Sequence, residues 1–298
     1  MATDAETGHE FSRSGATARV PWFRQTKAFA VRNFRAMLRT KATVIWGFGF
    51  PAFWYFLTSQ LLLPSAGTVG GPAVLADLKG ATAVSLGLFG VLTTTLVAFA
   101  GGLSHDIDRK RYRKLRSLPV SPSADFAGRF LAGIGVASVA YVLVLVAGYA
   151  DGADYALRSP ASVGVVVASF LLFSLVGVSV AVVVTWLVSD PEIVVGITNA
   201  ILLVTFFLTG YNGMSPGMLP ERARWLVNVV PNALAARIQS YHLTETSIVA
   251  GDSAGSITPP ALPSGPEHLA LLALWALVLG GAATVLMDRG VYRGEAGE

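Results

Sequence analysis

Long stretches of uncharged, mostly apolar residues alternate with short charged segments along this chain. A helix that crosses the ~30 Å hydrocarbon core of a bilayer needs about 20 such residues. The pattern predicts six transmembrane helices, at 43–63, 81–103, 126–150, 162–188, 193–210 and 268–287. We therefore predict an all-α, polytopic membrane protein. Six spans place both chain ends on the same side of the membrane.

Composition supports this prediction and excludes several other classes. Hydrophobic residues make up 53% of the 298 residues and charged residues 13%, about half the charged share of a soluble protein. One compact core cannot hide that apolar excess, so much of it must face lipid. The chain has no cysteine, which excludes a disulfide, a thiolate metal site and a cysteine nucleophile.

The basic residues predict the orientation of the spans, since positively charged loops stay in the cytoplasm. Only five of the 22 lysines and arginines fall on the side opposite the chain ends: Lys79, Arg158, Arg222, Arg224 and Arg237. The other 17 place both termini in the cytoplasm, with the protein in the cytoplasmic membrane. This asymmetry also accounts for the net charge of +4, and no nucleic-acid partner is predicted.

The cytoplasmic N-terminal segment, residues 1–42, contains a predicted amphipathic helix at about 21–41. Helical spacing collects four apolar residues on one face: Ala30, Phe34, Met37 and Leu38. It collects four arginines on another: Arg24, Arg32, Arg35 and Arg39. This is the profile of an interfacial helix. A membrane-surface anchor and a protein-docking helix both fit it.

The loop after the second span holds six basic residues in the eight positions 109–116. Tyr112, Leu115 and Leu118 recur among them at helical spacing, and Pro119 and Pro122 stop any helix that follows. We predict a short helix across the cytoplasmic mouth of the bundle. A simple positive-inside retention signal is the alternative.

The outer segment 211–267 is too long for a plain turn. It predicts an extracellular re-entrant or interfacial helix pair before the last span, hinged at Pro231. Its four nearby charges, Glu221, Arg222, Arg224 and Arg237, favour the outer interface over burial. In the short outer loop after the third span, Asp151 and Asp154 beside Gly152 predict a solvated turn.

Catalytic chemistry is not indicated by any motif. The sequence lacks the GxxxxGK[ST] phosphate loop, and its four histidines stand apart from one another. The predicted spans contain no mid-span charge of the kind that ion-coupled transporters use. We predict no catalytic residue and no metal site, and we expect energy for any pumping to come from another chain.

Two segments resemble the permease subunits of ABC-2 type ATP-binding cassette transporters. The first is 108–129, DRKRYRKLRSLPVSPSADFAGR, where a charged helix is followed by Leu118-Pro119, a small polar turn and Gly128-Arg129. The second is 210–237, GYNGMSPGMLPERARWLVNVVPNALAAR, which is similar to the extracellular insert of that family. The basic run 110–114 stands where the family commonly has an acidic residue and a Gly-Thr pair.

The resemblance implies a permease subunit of an ABC exporter. The charge pattern bounds its transmembrane domain at 43–287 and its cytoplasmic tail at 288–298, and the uncharged spans with many aromatic residues fit a lipophilic or amphipathic substrate. The resemblance implies a separate ATPase subunit that holds ATP and Mg, and a homodimer or a heterodimer with a related permease in the lipid bilayer. This chain itself would hold no cofactor. The competing interpretation is an ATP-independent facilitator or scaffold.

The resemblance also implies roles for three groups of residues. The predicted coupling group in the inner loop is Arg109, Arg113, Leu115, Arg116, Leu118 and Pro119. The predicted ATPase-docking or membrane-surface group is Arg32, Arg35 and Arg39. The markers of the extracellular insert are Pro220, Trp225 and Pro231.

Overall fold

The computed structural model describes residues 20–63, 65–188, 190–207, 220–244 and 262–292, and every regular element in these ranges is helical. The α-helices, in chain order, are α1 (Trp22–Arg39), α2 (41–62), α3 (Ala66–Val69), α4 (Pro72–Asp108), α5 (Arg111–Arg116), α6 (Pro122–Ala150), α7 (Pro160–Leu187), α8 (Pro191–Phe207), α9 (Pro231–Leu243) and α10 (Pro266–Leu286). A 3₁₀ helix, Glu221–Asn228, precedes α9, and a π-helical stretch, Met287–Tyr292, continues α10.

Four of these helices are long and apolar enough to cross a membrane: α4, α6, α7 and α10 with its extension. The shorter apolar helix α8 covers the described part of the fifth predicted span. The first predicted span corresponds to α2, which is interrupted by the π-helical stretches Ile45–Gly49 and Thr58–Leu62. The protein is therefore an all-helical, multi-pass membrane protein, and the number of six transmembrane spans stays a prediction.

Proline sets where the helices begin. Six of them start with a proline in the first turn, where the missing N–H would lack a helical partner anyway. These residues are Pro72, Pro122, Pro160, Pro191, Pro231 and Pro266. Five of these prolines lie two to nine residues before the start of a predicted span, so those helices begin earlier than hydropathy indicated. Pro231 begins α9, which was not predicted as a span.

Helix α4 lies at the centre of the bundle and contacts α2, α6, α7, α8 and α9. Its 37 residues span about 55 Å, more than the ~30 Å of a hydrocarbon core. Neighbouring helices pack closely against its π-helical stretch, Thr93–Ala98. There Thr94 and Thr95 meet Gly47 of α2 and Gly177 of α7, two positions where a Cβ would approach the threonine side chains to within 3 Å.

The two ends of the bundle differ in chemistry. The basic end is where α4 ends and α6 begins, and it includes α5 and part of α1. The opposite end is where α6 ends and α7 begins, marked by Asp151. The apolar faces of α6, α7 and α10 away from α4 are exposed, with residues such as Leu143, Leu171 and Leu277. These faces have the composition expected for contact with lipid.

Helix α1 lies along the first half of α6. Its Trp22 indole N–H donates to the Ser123 hydroxyl at 3.0 Å, and Phe34 packs beside Gly135. Between these contacts, Gly128 of α6 sits directly against α1. A Cβ on Gly128 would lie 2.4 Å from Phe29 Cβ and 2.7 Å from the Thr26 carbonyl oxygen. The buried face of α1 therefore depends on this glycine.

Helix α9 is buried inside the bundle: every residue at 232–240 is buried, Arg237 included. The preceding turn reaches inward as well, since the Trp275 indole N–H, nine residues into α10, donates to the Val229 carbonyl at 3.0 Å. Nine residues correspond to about 14 Å along a helix. The sequence argument that the charges of this segment exclude burial is therefore wrong for Arg237. The prediction treated the four charges of the segment as one group, whereas the fold separates buried Arg237 from exposed Glu221 and Arg222.

Substituting Gly128→Ala should destabilise the protein by about 1–3 kcal/mol, because the new methyl group must push α1 away from α6. The matched control is Gly164→Ala in α7, where a Cβ meets nothing within 4 Å and alanine favours the helix by up to about 1 kcal/mol. Denaturant unfolding of the detergent-purified variants measures both effects. Equal stability of the two variants would contradict the close α1–α6 contact.

Candidate functional site at the basic end

A buried arginine holds the centre of the basic end. The Arg129 side chain, in the second turn of α6, is 5% exposed. Its Nη2 donates to Asp106 Oδ2 at 2.6 Å, and its Nε donates to Asp125 Oδ1 at 3.2 Å. Asp106 comes from the last turn of α4 and Asp125 from the first turn of α6. This pair of contacts ties the end of α4 to the start of α6.

The short helix α5 is bound to the same two carboxylates. Arg111 Nη1 donates to Asp106 Oδ1 at 2.6 Å, and the Tyr112 hydroxyl donates to Asp125 Oδ2 at 3.0 Å. Tyr112 is buried, and its ring lies 5.8 Å from the Arg129 guanidinium carbon, within reach of a cation–π interaction. A tight turn with Lys110 in the left-handed conformation, φ 55°, joins α4 to α5 and permits this placement.

A third arginine comes from α1. Arg32 Nη2 lies 3.7 Å from Asp106 Oδ2 and 3.9 Å from Asp125 Oδ1, and its side chain is 41% exposed. We refer to Arg32, Asp106, Arg111, Asp125 and Arg129, with Tyr112, as the ion-pair cluster. It unites α1, α4, α5 and α6 with three positive and two negative charges. Buried charges are tolerated only when paired and hydrogen-bonded, so these four elements hold a fixed relative position.

The predicted coupling residues divide into two sets. Leu115 on α5 is half-buried and packs against the core, whereas Arg109, Arg113, Leu118 and Pro119 are exposed. Leu118 lies just beyond α5 and is 55% exposed. The Arg116 side chain falls outside the described part. The structure thus brings one coupling residue to the bundle and leaves four on the surface of the basic end.

The predicted docking arginines also divide. Arg32 joins the ion-pair cluster, and Arg35 and Arg39 are exposed on α1. Sequence reasoning missed the central roles of Asp106, Asp125 and Arg129. The spacing of Asp125 and Arg129, four residues apart in one helix, was the available local signal. Asp106 has no such signal, because only the fold of α4 against α6 brings it to Arg129.

The three residues that mark the predicted outer insert lie on or beside the 3₁₀ helix and α9, away from the basic end. Pro220 precedes the 3₁₀ helix, Trp225 on that helix is exposed, and Pro231 begins α9. Two short helices thus meet near Pro231, and their re-entrant or interfacial position stays a prediction. The loop 211–217 that begins the predicted insert lies outside the described residues.

Inside the bundle, α9 is held by a buried polar chain. The Tyr141 hydroxyl donates to Gln239 Oε1 at 2.6 Å, and Gln239 Nε2 donates to the Ser169 hydroxyl at 3.1 Å. Arg237 Nε donates to Asn228 Oδ1 at 2.7 Å. These contacts join α9 to α6, to α7 and to its own 3₁₀ helix. Each of these hydrogen bonds offsets part of the roughly 1–3 kcal/mol that burying an unpaired polar group costs.

A second charged group lies at the opposite end, around Asp151. Lys79 Nζ lies 3.1 Å from Asp151 Oδ2, and the Tyr55 hydroxyl donates to the same oxygen at 3.1 Å. Ser59 donates to it as well, and Gln60 Nε2 donates to Oδ1 at 2.7 Å. The turn at Gly152 is present, with φ 87°, but Asp151 is not the solvated residue that the sequence predicted. It clamps α2 and α4 to the end of α6.

This network shifts the acidity of Asp151. Burial acts to raise the pKa of Asp151, but hydrogen bonds from Ser59, Lys79 and Tyr55 and the charge of Lys79 outweigh burial. The pKa of Asp151 therefore lies below its usual value of 3.8. Among the described residues, histidine, aspartate and glutamate form no group of three that could hold a metal ion.

The structure defines a polytopic helical membrane protein whose basic end carries an ion-paired segment with an exposed surface. The family model "ABC-2 type transporter" matches residues 24–240, from α1 into the last turn of α9. The chain belongs to this family, as a permease subunit. No curated protein matches the sequence.

Substituting Arg129→Gln should destabilise the protein by about 3 kcal/mol, because it leaves two buried carboxylates short of their partner. The exposed control, Arg113→Gln, should change stability by no more than about 0.5 kcal/mol. The double variant Asp125→Asn/Arg129→Gln should be less unstable than the two single variants summed, by about 1 kcal/mol or more. Denaturant titration in detergent measures this coupling, and strict additivity would contradict the ion-pair cluster.

Acidification should weaken the Asp151 clamp. Because the folded pKa of Asp151 is depressed, its stabilising contribution is present above the unfolded pKa near 3.8 and is lost as pH falls through the lower folded pKa. The Asp151→Asn variant lacks this contribution at neutral pH. Melting curves from pH 7 to pH 3 should therefore show the wild type approaching the variant below about pH 4. A constant gap between them across this range would contradict the ionic clamp.

Proposed function

We propose that this permease subunit works with a separate cytoplasmic ATPase, which binds the exposed residues of the basic end and drives export of a lipophilic or amphipathic substrate. The observation that carries the proposal is the two-sided character of the α5 segment. One side, Arg111, Tyr112 and Leu115, is fixed to the bundle. The other side offers exposed Arg113 and Leu118 to a partner.

The ion-pair cluster supplies a route for mechanical coupling. A force on α5 acts on Asp106 through Arg111 and on Asp125 through Tyr112, and Arg129 links the two carboxylates. Asp106 lies in the last turn of α4, the helix that contacts most of the bundle. Movement of the ATPase would in this way reach α4 at its end and pass along it to the packed π-helical stretch.

The proposed topology has six spans with both termini in the cytoplasm. Residues 1–42 form the cytoplasmic segment with its interfacial helix, 43–287 the transmembrane domain, and 288–298 the cytoplasmic tail. The distribution of charge over the bundle supports this orientation, since α1 and α5 provide a dense group of arginines at one end. Lys79 and Arg158 lie near the other end. The 3₁₀ helix and α9 form the extracellular re-entrant pair in this arrangement.

The energy source is proposed to be ATP with Mg on the partner, because this chain has no phosphate loop. The hydroxyl groups within the long helices support a passive apolar path rather than an ion relay. Thr95, Ser174 and Thr198 donate to carbonyl oxygens of their own helices. Two permeases, identical or related, would line the path between them.

The test compares Leu118→Asp with Leu157→Asp, an equally exposed leucine (52%) at the opposite end. An aspartate at an apolar contact with the ATPase should weaken binding about tenfold or more, because its charge must lose water. Leu157→Asp should leave binding unchanged. The measurement is the amount of nucleotide-binding subunit that co-purifies with each variant, together with transport by reconstituted complexes.

Two outcomes would contradict the proposal. If no nucleotide-binding protein co-purifies with the wild type, and the chain alone moves substrate down its gradient, it is the ATP-independent facilitator. If Leu118→Asp retains normal ATPase binding and normal ATP-driven transport, the α5 segment is not the coupling element. Arg113→Gln provides a second variant in the same segment that preserves the fold.

A further inference from the structure

An open apolar groove of about 480 Å³ runs between α1 and the start of α6. Its α1 wall presents Trp22, Ala30 and Val31, and its α6 wall presents Phe130 and Leu131. Gly128, where the backbones of α1 and α6 come closest, lies beside the groove. Its volume falls within the ~300–1,000 Å³ of pockets that hold small molecules.

The polar groups of the groove point to an anion. The Thr26 hydroxyl is already used, since it donates to the Trp22 carbonyl at 3.1 Å. Lys27, by contrast, makes no hydrogen bond or ion pair with the residues that the structure describes. Helix α1, Trp22–Arg39, which forms one wall of the groove, has five basic residues and no acidic residue. An occupant with one apolar chain and one negative charge complements this surface.

We propose that the groove binds an anionic phospholipid, with an acyl chain between α1 and α6 and the phosphate on Lys27. In a multi-pass membrane protein, both parts of this ligand surround the groove at high concentration. The groove is also tied to the coupling region, since Gln25 Oε1 accepts the Ser121 N–H at 2.8 Å beside the Trp22–Ser123 contact. A bound lipid would fix the spacing of α1 and α6 next to the ion-pair cluster.

The probe is a phosphatidylglycerol that carries a photoactivatable group on one acyl chain. Its control is a phosphatidylcholine with the same photoactivatable acyl chain. Both are tested on the full-length protein in nanodiscs. Labelled peptides should map to 22–31 and 127–131. Phosphatidylglycerol should label them about fivefold more than phosphatidylcholine, the effect expected for one lysine–phosphate contact. This measurement on the wild type requires no variant to fold. Equal labelling by the two lipids, or labels spread evenly over all exposed helices, would overturn the proposal.

Variants separate the two parts of the site. Lys27→Glu should remove the preference for phosphatidylglycerol, whereas Lys41→Glu, an exposed lysine at the start of α2, should keep it. Ala30→Trp should fill the groove and reduce labelling by both lipids. Ala28→Trp, exposed on α1 outside the groove, is the matched control.

Two further outcomes identify a different occupant and overturn the proposal. If glycerol phosphate abolishes the labelling by competition, the groove recognises a free phosphate compound rather than a lipid. If the purified ATPase subunit displaces the label and Ala30→Trp blocks ATPase binding, the groove is a protein-docking site. Persistence of the label with both competitors present supports the lipid assignment. The coupling variants at Leu118 test the proposed function independently of these results.

Discussion

The burial of Arg129 constrains the basic end of the molecule more than any other interaction. An arginine that is 5% exposed must remain paired, and its partners come from the end of α4 and the start of α6. Arg111, Tyr112 and Arg32 attach α5 and α1 to the same carboxylates. A single buried charge therefore determines how four elements, separated by up to about a hundred residues in sequence, are arranged.

The interior of the bundle also holds polar side chains, several of which pair with neighbouring elements. Helix α9 brings Gln239 and Arg237 among buried apolar residues, where each finds a partner on a neighbouring element. Protein surrounds α9 on several sides, through its contacts with α4, α7 and α10. At the end of the bundle away from Arg129, Asp151 joins α2 and α4 to the end of α6.

The sequence was sufficient for the features that depend on local pattern. The uncharged runs predicted the long helices, and the motifs of 108–129 and 210–237 pointed to the family. The helical spacing of Tyr112, Leu115 and Leu118, followed by prolines, predicted α5. The sequence was insufficient wherever a role depends on a distant partner. Asp106 resembled any loop carboxylate until α4 met α6, and Arg237 looked too charged to bury. Hydropathy also could not show that α4 continues to Asp108, because charged residues fit a helix that extends past the lipid.

The seating of α1 against Gly128 has a consequence for biogenesis. Phe29 and Gly128 are 99 residues apart, which at about 5–20 residues per second separates their synthesis by about 5–20 s. During that interval the ribosome has produced α1 but not the surface of α6 on which α1 packs, so the apolar face of α1 must contact lipid or a chaperone. Helix α1 is thus synthesised well before α6 and can dock only after α6 emerges.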